Sequence, residues 1–221
     1  MVDIKKNTVS ADGQMKNSSE LYFLGREDAP RRILIMGNSI TRHGPNADIG
    51  WHGDWGMAAS APELDYVHQL YAMLCEAGED VRIMVRQASF WERHLQEADV
   101  LSHYEDERDF KPDVFLFRLG ENVPEDSHAA FADALRQLSA FICPPSGRIV
   151  YTTCFWWHDS IDADIATVAR ERGQTCLNIH FAEDHRTMAL GQFAHEGVAM
   201  HPSDFGMKCI AKAIFDEIHN K

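Results

Sequence analysis

The sequence predicts an α/β fold whose sheet is mostly parallel and covered by helices on both faces. Five short apolar runs, at 33–36, 81–85, 114–119, 149–153 and 176–181, read as buried strands. Between them lie stretches near 65–77, 92–102, 127–141, 160–172 and 203–219 with the pattern of helices. Strands alternating with helices imply right-handed crossovers, which set successive strands parallel and lay helices on either side. The chain has 221 residues, 45% hydrophobic and 25% charged, enough for one sizeable core. One domain over 31–221 is therefore expected, after a lead-in over 1–30.

Taken in order, residues 1–20 are polar and turn-rich and read as an extended or partly disordered arm, while Leu21 to Leu24 either packs on the body or adds a short strand. The first strand, Ile33 to Met36, runs into Gly37-Asn38-Ser39, a small-residue turn that presents a serine hydroxyl at the rim of the sheet. The segment 42–62 then interrupts the first crossover with four glycines, two prolines, Trp51 and Trp55. So long a loop is either functional or an Ω-loop packed by its own tryptophans. The helix that follows has Asp65 near its start, Val67, Leu70, Tyr71 and Leu74 at helical spacing, and Gly78 as a stop. Ser39, Asn122 and the pair Trp156-Trp157 all fall at or just past strand ends, the side on which ligands bind in open α/β sheets.

Composition removes several alternatives. A formal net charge of -13 argues against nucleic acid or anionic lipid as a partner. Five dispersed cysteines, Cys75, Cys143, Cys154, Cys176 and Cys209, form no CxxC pair, and several of them sit in apolar runs and read as buried inert thiols. The N-terminal stretch lacks an apolar h-region and no run reaches membrane-spanning length, so the chain as given reads as cytoplasmic, or as secreted or periplasmic if a signal peptide has been removed.

A serine hydroxyl needs a base to take its proton. Of 12 histidines, His201 stands out: Pro202 fixes the backbone beside it, and Ser203 or Asp204 can cap the final helix, from whose start a side chain can reach over the sheet. Arg118-Leu119-Gly120-Glu121-Asn122-Val123 closes the third strand, and the Asn122 amide could donate to the oxyanion of a tetrahedral intermediate, with the Ser39 backbone amide as a second donor. Each signal is weak alone.

Together, Gly37-Asn38-Ser39-Ile40-Thr41, Gly120-Glu121-Asn122 and His201-Pro202 with Gly206 resemble the opening, third and closing blocks of the SGNH (GDSL-like) hydrolases. The resemblance spans 31 to about 219. It implies a three-layer α/β/α flavodoxin-like sandwich on a mostly parallel five-stranded sheet, and ester hydrolysis through an acyl-serine with no cofactor. Ser39 would be the nucleophile, His201 the base and then acid, and Asn122 an oxyanion donor.

The departures are informative. Asn38 and Val123 stand where the family has aspartates. The second block, Gln87 to Glu92, has no glycine, so its backbone donor would come from Ser89 or a neighbour. Val198 stands where the triad acid is expected, leaving either Glu196 as the orienting acid, if the loop bulges, or a Ser-His dyad held by a backbone carbonyl, the arrangement slightly favoured here. Trp51, Trp55, Trp156 and Trp157 are expected to wall a substrate site suited to sugars or acyl chains, or simply to pack the rim. Glu92 and Glu121 are read as touching substrate or as solvated.

The leading expectation is a serine esterase acting on a small-molecule ester, with an O-acetylated carbohydrate in mind. The alternative is a non-catalytic carbohydrate-binding module on a degenerate scaffold. A metal-dependent hydrolase using His43, His52, His195 and His201 is a third reading, although none of these shows ligand spacing. The acyl group, the alcohol and the oligomeric state are not fixed by these residues.

Overall fold

A computed structural model describes residues 21–144 and 147–219. The arm expected over 1–20 lies outside the described residues. The six strands among the described residues are β1 (Leu21–Leu24), β2 (Arg31–Gly37), β3 (Val81–Gln87), β4 (Val114–Arg118), β5 (Arg148–Thr152) and β6 (Thr175–Leu177), in the sheet order β1-β3-β2-β4-β5-β6. The five expected strands are parallel, and β1 adds a sixth, antiparallel to β3 with Leu21 opposite Arg86. Seven α-helices accompany them among the described residues: α1 (Tyr66–Glu76), α2 (Ser89–His94), α3 (Glu105–Phe110), α4 (His128–Ile142), α5 (Asp159–Glu171), α6 (Glu196–Ala199) and α7 (Asp204–His219). None of the described helices is long and apolar enough to cross a membrane.

The pleat of β2 sends Ile33 and Ile35 to one face and Leu34 and Met36 to the other, and all four are fully buried. Ile33 and Ile35 pack with Val67, Leu70 and Leu74 of α1 and Ile210 and Ile214 of α7. Leu34 and Met36 pack with Phe131, Leu135 and Leu138 of α4 and Ile161, Ile165 and Val168 of α5. This is the three-layer sandwich. Because β2 lies at its centre between β3 and β4, the turn after Gly37 opens at the middle of the sheet.

Two elements differ from expectation. The helix expected over 92–102 begins at Ser89, ends at His94, and resumes after a turn as a 3-10 segment (Val100–Tyr104) leading into α3. The break lets Trp91, Leu95, Val100 and Tyr104 all reach the same core, while the buried Arg86–Glu107 ion pair pins α3 to β3. The last strand stops at Leu177 rather than Phe181, because its neighbour β5 ends at Thr152 and offers no ladder beyond it. The Ile179 amide turns to Thr153 Oγ1 at 2.9 Å instead.

Segment 42–62 is an Ω-loop packed by its own residues. Ile49, Trp51, Met57 and Ala58 form a third apolar cluster with Ala189 and Val198, so the loop after β2 braces the loop before α7. Gly37 sits at the tightest point of this end of the sheet, where a Cβ would lie 1.8 Å from Thr41 Oγ1. Thr41 has little freedom to yield, since its hydroxyl is buried and hydrogen-bonded to Tyr66 Oη at 2.7 Å. Gly37→Ala should therefore overpack the turn and cost about 1–3 kcal/mol of stability, measured by urea unfolding against the parent.

Candidate active site

Four N–H···O bonds shape the turn after β2. Thr41 N and Arg42 N donate to the Asn38 carbonyl at 2.9 and 3.0 Å, Ile40 N reaches Asn38 Oδ1 at 3.4 Å, and Met57 N donates to the Ser39 carbonyl at 2.9 Å. The Ser39 side chain is thereby aimed across the sheet end. Its Oγ lies 2.8 Å from His201 Nε2. Ser39 and His201 keep only 4% and 2% of their surface exposed.

His201 is delivered by the short helix α6, after which its own amide donates to the Val198 carbonyl at 3.0 Å. The ring's Nδ1 faces the Gly197 carbonyl at 2.7 Å. A carbonyl only accepts, so Nδ1 carries the proton and Nε2 is left with its lone pair toward the Ser39 hydroxyl. Trp156 sets an edge-on ring contact against the imidazole, centroids 5.2 Å apart at 82°. Ser203 caps α7, its Oγ accepting from Gly206 N at 3.3 Å, whereas Asp204 receives the amide and hydroxyl of Ser60.

The histidine has no carboxylate partner among the described residues. Glu196 is exposed at the start of α6 and does not reach the ring, which corrects its role as orienting acid. Val198 is buried in the apolar cluster with Trp51, so that position turns away from the imidazole while the Gly197 carbonyl turns toward it. Burial drives the His201 pKa down to about 3, with His43, Arg118 and His195 pushing the same way and the Gly197 hydrogen bond opposing. At neutral pH it is an uncharged base.

Beside the serine turn lies a buried polar network. Glu92, from α2, accepts from Gly120 N at 2.6 Å, Asn122 Nδ2 at 2.8 Å, Asn38 Nδ2 at 3.1 Å and Asn122 N at 3.3 Å. Glu121 accepts from Asn38 Nδ2 at 2.6 Å, from Arg118 at 2.6 and 2.8 Å, and from Phe155 N at 2.9 Å. Arg118 also donates to Asn38 Oδ1 at 2.8 Å. Glu92 is thus wholly buried rather than solvated, and burial together with the charge of Glu121 raises its pKa to about 7 against the pull of the Asn122, Gly120 and Asn38 donors.

The other sequence candidates separate clearly. Asn122 stands near the turn but commits one amide hydrogen to Glu92, leaving the second for a ligand. The Ser89 amide is corrected as a donor to substrate, because it closes a local turn onto Gln87 Oε1 at 3.1 Å. The Ser39 amide has no acceptor among the described residues. Trp51 is corrected to a packing residue, buried with its Nε1 on the His43 carbonyl at 2.8 Å. Trp55 is half-buried and bonds the Ala59 carbonyl. Trp157 is 45% exposed and leans on His180 at 4.3 Å. Among the described residues, no three His, Cys, Asp or Glu side chains converge as metal ligands would. Sequence reading favoured a backbone carbonyl behind His201 without naming Gly197, and it missed the joint role of Glu92, Glu121 and Arg118; an arginine closing an otherwise apolar strand was the available signal.

No protein-family model and no curated protein matches this sequence. Solved structures do match it in fold. A putative GDSL-like lipase from Parabacteroides merdae aligns at a TM-score of 0.59 and 18% identity over 87% of this chain and 97% of that one. The acetylxylan esterase Axe2 from Geobacillus stearothermophilus aligns at 0.57 and 18% identity over 86% and 94%. A family two carbohydrate esterase from Clostridium thermocellum, in complex with cellohexaose, aligns at 0.56 and 14% identity over 89% and 66%. The chain has the SGNH-like hydrolase fold.

Two outcomes follow from this geometry. Asn38→Asp would remove both N–H groups from Glu92 and Glu121 and set a third carboxylate among them with Arg118 as the neighbouring cation; a loss of about 3–5 kcal/mol is expected in urea unfolding at neutral pH. His201 contributes in the opposite direction to a salt-bridged histidine. Below about pH 6.5 the unfolded ring takes up a proton that the folded ring refuses until far lower pH, so its presence erodes stability as the pH falls, by up to about 1.4 kcal/mol per unit. His201→Gln should accordingly gain in Tm relative to the parent between about pH 6.5 and 4.5, read by thermal scans at several pH values.

Proposed function

We propose that this protein is a serine esterase that cleaves a small acyl ester, with an O-acetyl group on a carbohydrate as its substrate class, through an acyl-serine intermediate. The observation that carries this is the 2.8 Å contact between Ser39 Oγ and the unprotonated Nε2 of a buried, neutral His201. A binding module has no use for a base so placed.

In the proposed reaction Ser39 Oγ attacks the ester carbonyl carbon as its proton passes to His201 Nε2. The free N–H of Asn122 and the Ser39 amide receive the oxyanion. Collapse of the tetrahedral intermediate breaks the bond to the alcohol oxygen, which leaves with the proton from the imidazolium. Water then repeats the sequence on the acyl-serine, His201 first taking its proton and then returning one to Ser39. The Gly197 carbonyl dipole supports the imidazolium in place of a carboxylate. The tight enclosure of Ser39 and His201 favours a short acyl group. The exposed face of Trp157 suits a sugar ring, and the fold's likeness to an acetylxylan esterase agrees with that choice.

The purified protein is expected to hydrolyse p-nitrophenyl acetate, to release acetate from acetylated xylo-oligosaccharides, and to be labelled on Ser39 by an alkyl fluorophosphonate, seen by peptide mass spectrometry. Ser39→Ala should lose the labelling, and Ser39→Ala or His201→Ala should cut kcat by about a thousandfold or more with the fold retained. A folded parent that shows neither turnover nor labelling would overturn the reading.

A further inference from the structure

Glu92 is fully buried, touches neither Ser39 nor His201, and yet four N–H bonds from three residues end on its two oxygens. The donors are the Asn38 side chain, which flanks the nucleophile, the Gly120 amide, the Asn122 backbone amide and one side-chain N–H of Asn122. All four are donors. Only an ionised carboxylate can satisfy them together, since a carboxylic acid must place its own hydrogen on an acceptor.

We propose that Glu92 is a positioning residue for the oxyanion site, its ionised carboxylate fixing the rotamer of the Asn122 amide so that protonating Glu92 turns the site off. The inference rests on the esterase reading for what Asn122 does, but its structural core is independent of it. Oε2 accepts from Asn122 Nδ2 alone, at 2.8 Å, whereas Oε1 is shared by the other three donors. A proton on Glu92 therefore belongs on Oε2. There it faces an N–H, and the amide must turn over to bring Asn122 Oδ1 to meet it, which displaces the N–H that the ionised form holds toward the substrate.

The electrostatic surroundings set where the change falls. Glu121 repels the Glu92 charge from the loop after β4, while Arg118 is directed to Glu121 and Asn38 rather than to Glu92. Tyr104 and Cys154, whose own ionisation is pushed far up by burial, are neutral neighbours. With burial as the larger cause, the midpoint of Glu92 stands near neutrality, well above that of His201. An acid limb in the rate near pH 7 would consequently belong to a glutamate and not to the catalytic histidine.

Glu92→Gln supplies the test, because its carboxamide copies the protonated acid at every pH. The parent should show kcat for p-nitrophenyl acetate, followed by pH-stat from pH 5 to 9, falling on the acid side with a midpoint near 7, together with titration of the Asn122 side-chain amide signal in 15N–1H spectra at that midpoint. Glu92→Gln should be slower by about a hundredfold at pH 8, with KM little changed, a flat profile and no Asn122 titration. Glu92→Asp should recover part of the pH dependence. A Glu92→Gln profile that keeps the parent's limb, or an Asn122 signal in the parent that does not move between pH 5 and 9, overturns the inference while leaving the esterase reading intact. A parent with no turnover but a titrating Asn122 signal would do the reverse.

Discussion

The end of the sheet that carries Ser39 depends on a group of charges taken out of water together. The side chains of Glu92, Glu121 and Arg118 are buried, and two carboxylates against one guanidinium are costly to take out of water unless their lone pairs and hydrogens find partners; of the guanidinium only Arg118 Nε has none among the described residues. Asn38 makes the arrangement tenable: its two amide hydrogens go one to each carboxylate and its oxygen takes Arg118. The same residue supplies the carbonyl that closes the serine turn, through Thr41 N and Arg42 N. Charge balance and the aim of Ser39 are thus met by one side chain and its backbone. An asparagine, rather than an aspartate, is what this environment requires.

The second support is apolar. Trp51 and Met57 from the loop after β2 share a small core with Val198, one residue beyond the carbonyl that holds His201. Because the Met57 amide also bonds the Ser39 carbonyl, Ser39 and His201 are held by one loop. This explains the absence of a carboxylate behind the histidine in structural terms. The helical turn of α6 points residue 198 into that core and residue 197's carbonyl at the ring, so an acid at 198 would be buried without reaching its target.

Much of this was legible in the sequence, and the division follows the range of the interactions. Strand-length apolar runs and helical spacing report local burial, so the five parallel strands were readable, as was the turn at Gly37-Asn38-Ser39. The short antiparallel β1 was only one of two options for Leu21 to Leu24, because four residues carry too little pattern to choose a partner. The broken helix after Ser89 was missed because its apolar positions, Trp91, Leu95, Val100 and Tyr104, mimic a continuous helix when read without the core they fill. At the site, Ser39 and His201 meet although they are 162 positions apart in the chain, and only the order of three short blocks suggested it. The partners of Glu92 come from 28 to 54 residues away, so composition alone could not tell a solvated glutamate from a buried one. Tryptophan 51 was ambiguous for the same reason.

Burial acts on the two titratable groups of the site with opposite consequences. It keeps His201 neutral and pushes Glu92 toward its acid form, because in each case the charged state is the one that loses its water. For folding, the signs differ. Above about pH 7 an ionised, buried Glu92 weighs against the folded state relative to a solvated glutamate, and that burden is relieved as the pH drops toward about 4.5. His201 weighs against it over the acid range below about pH 6.5, where only the unfolded ring accepts a proton. Between those limits the two trends oppose each other, so Glu92 offsets part of the acid-driven loss that His201 alone would bring. Under the proposed chemistry the same acid range leaves the histidine fit to act as a base while Asn122 loses its anchor. What fails first on acidification is then the geometry around the oxyanion, not the proton acceptor.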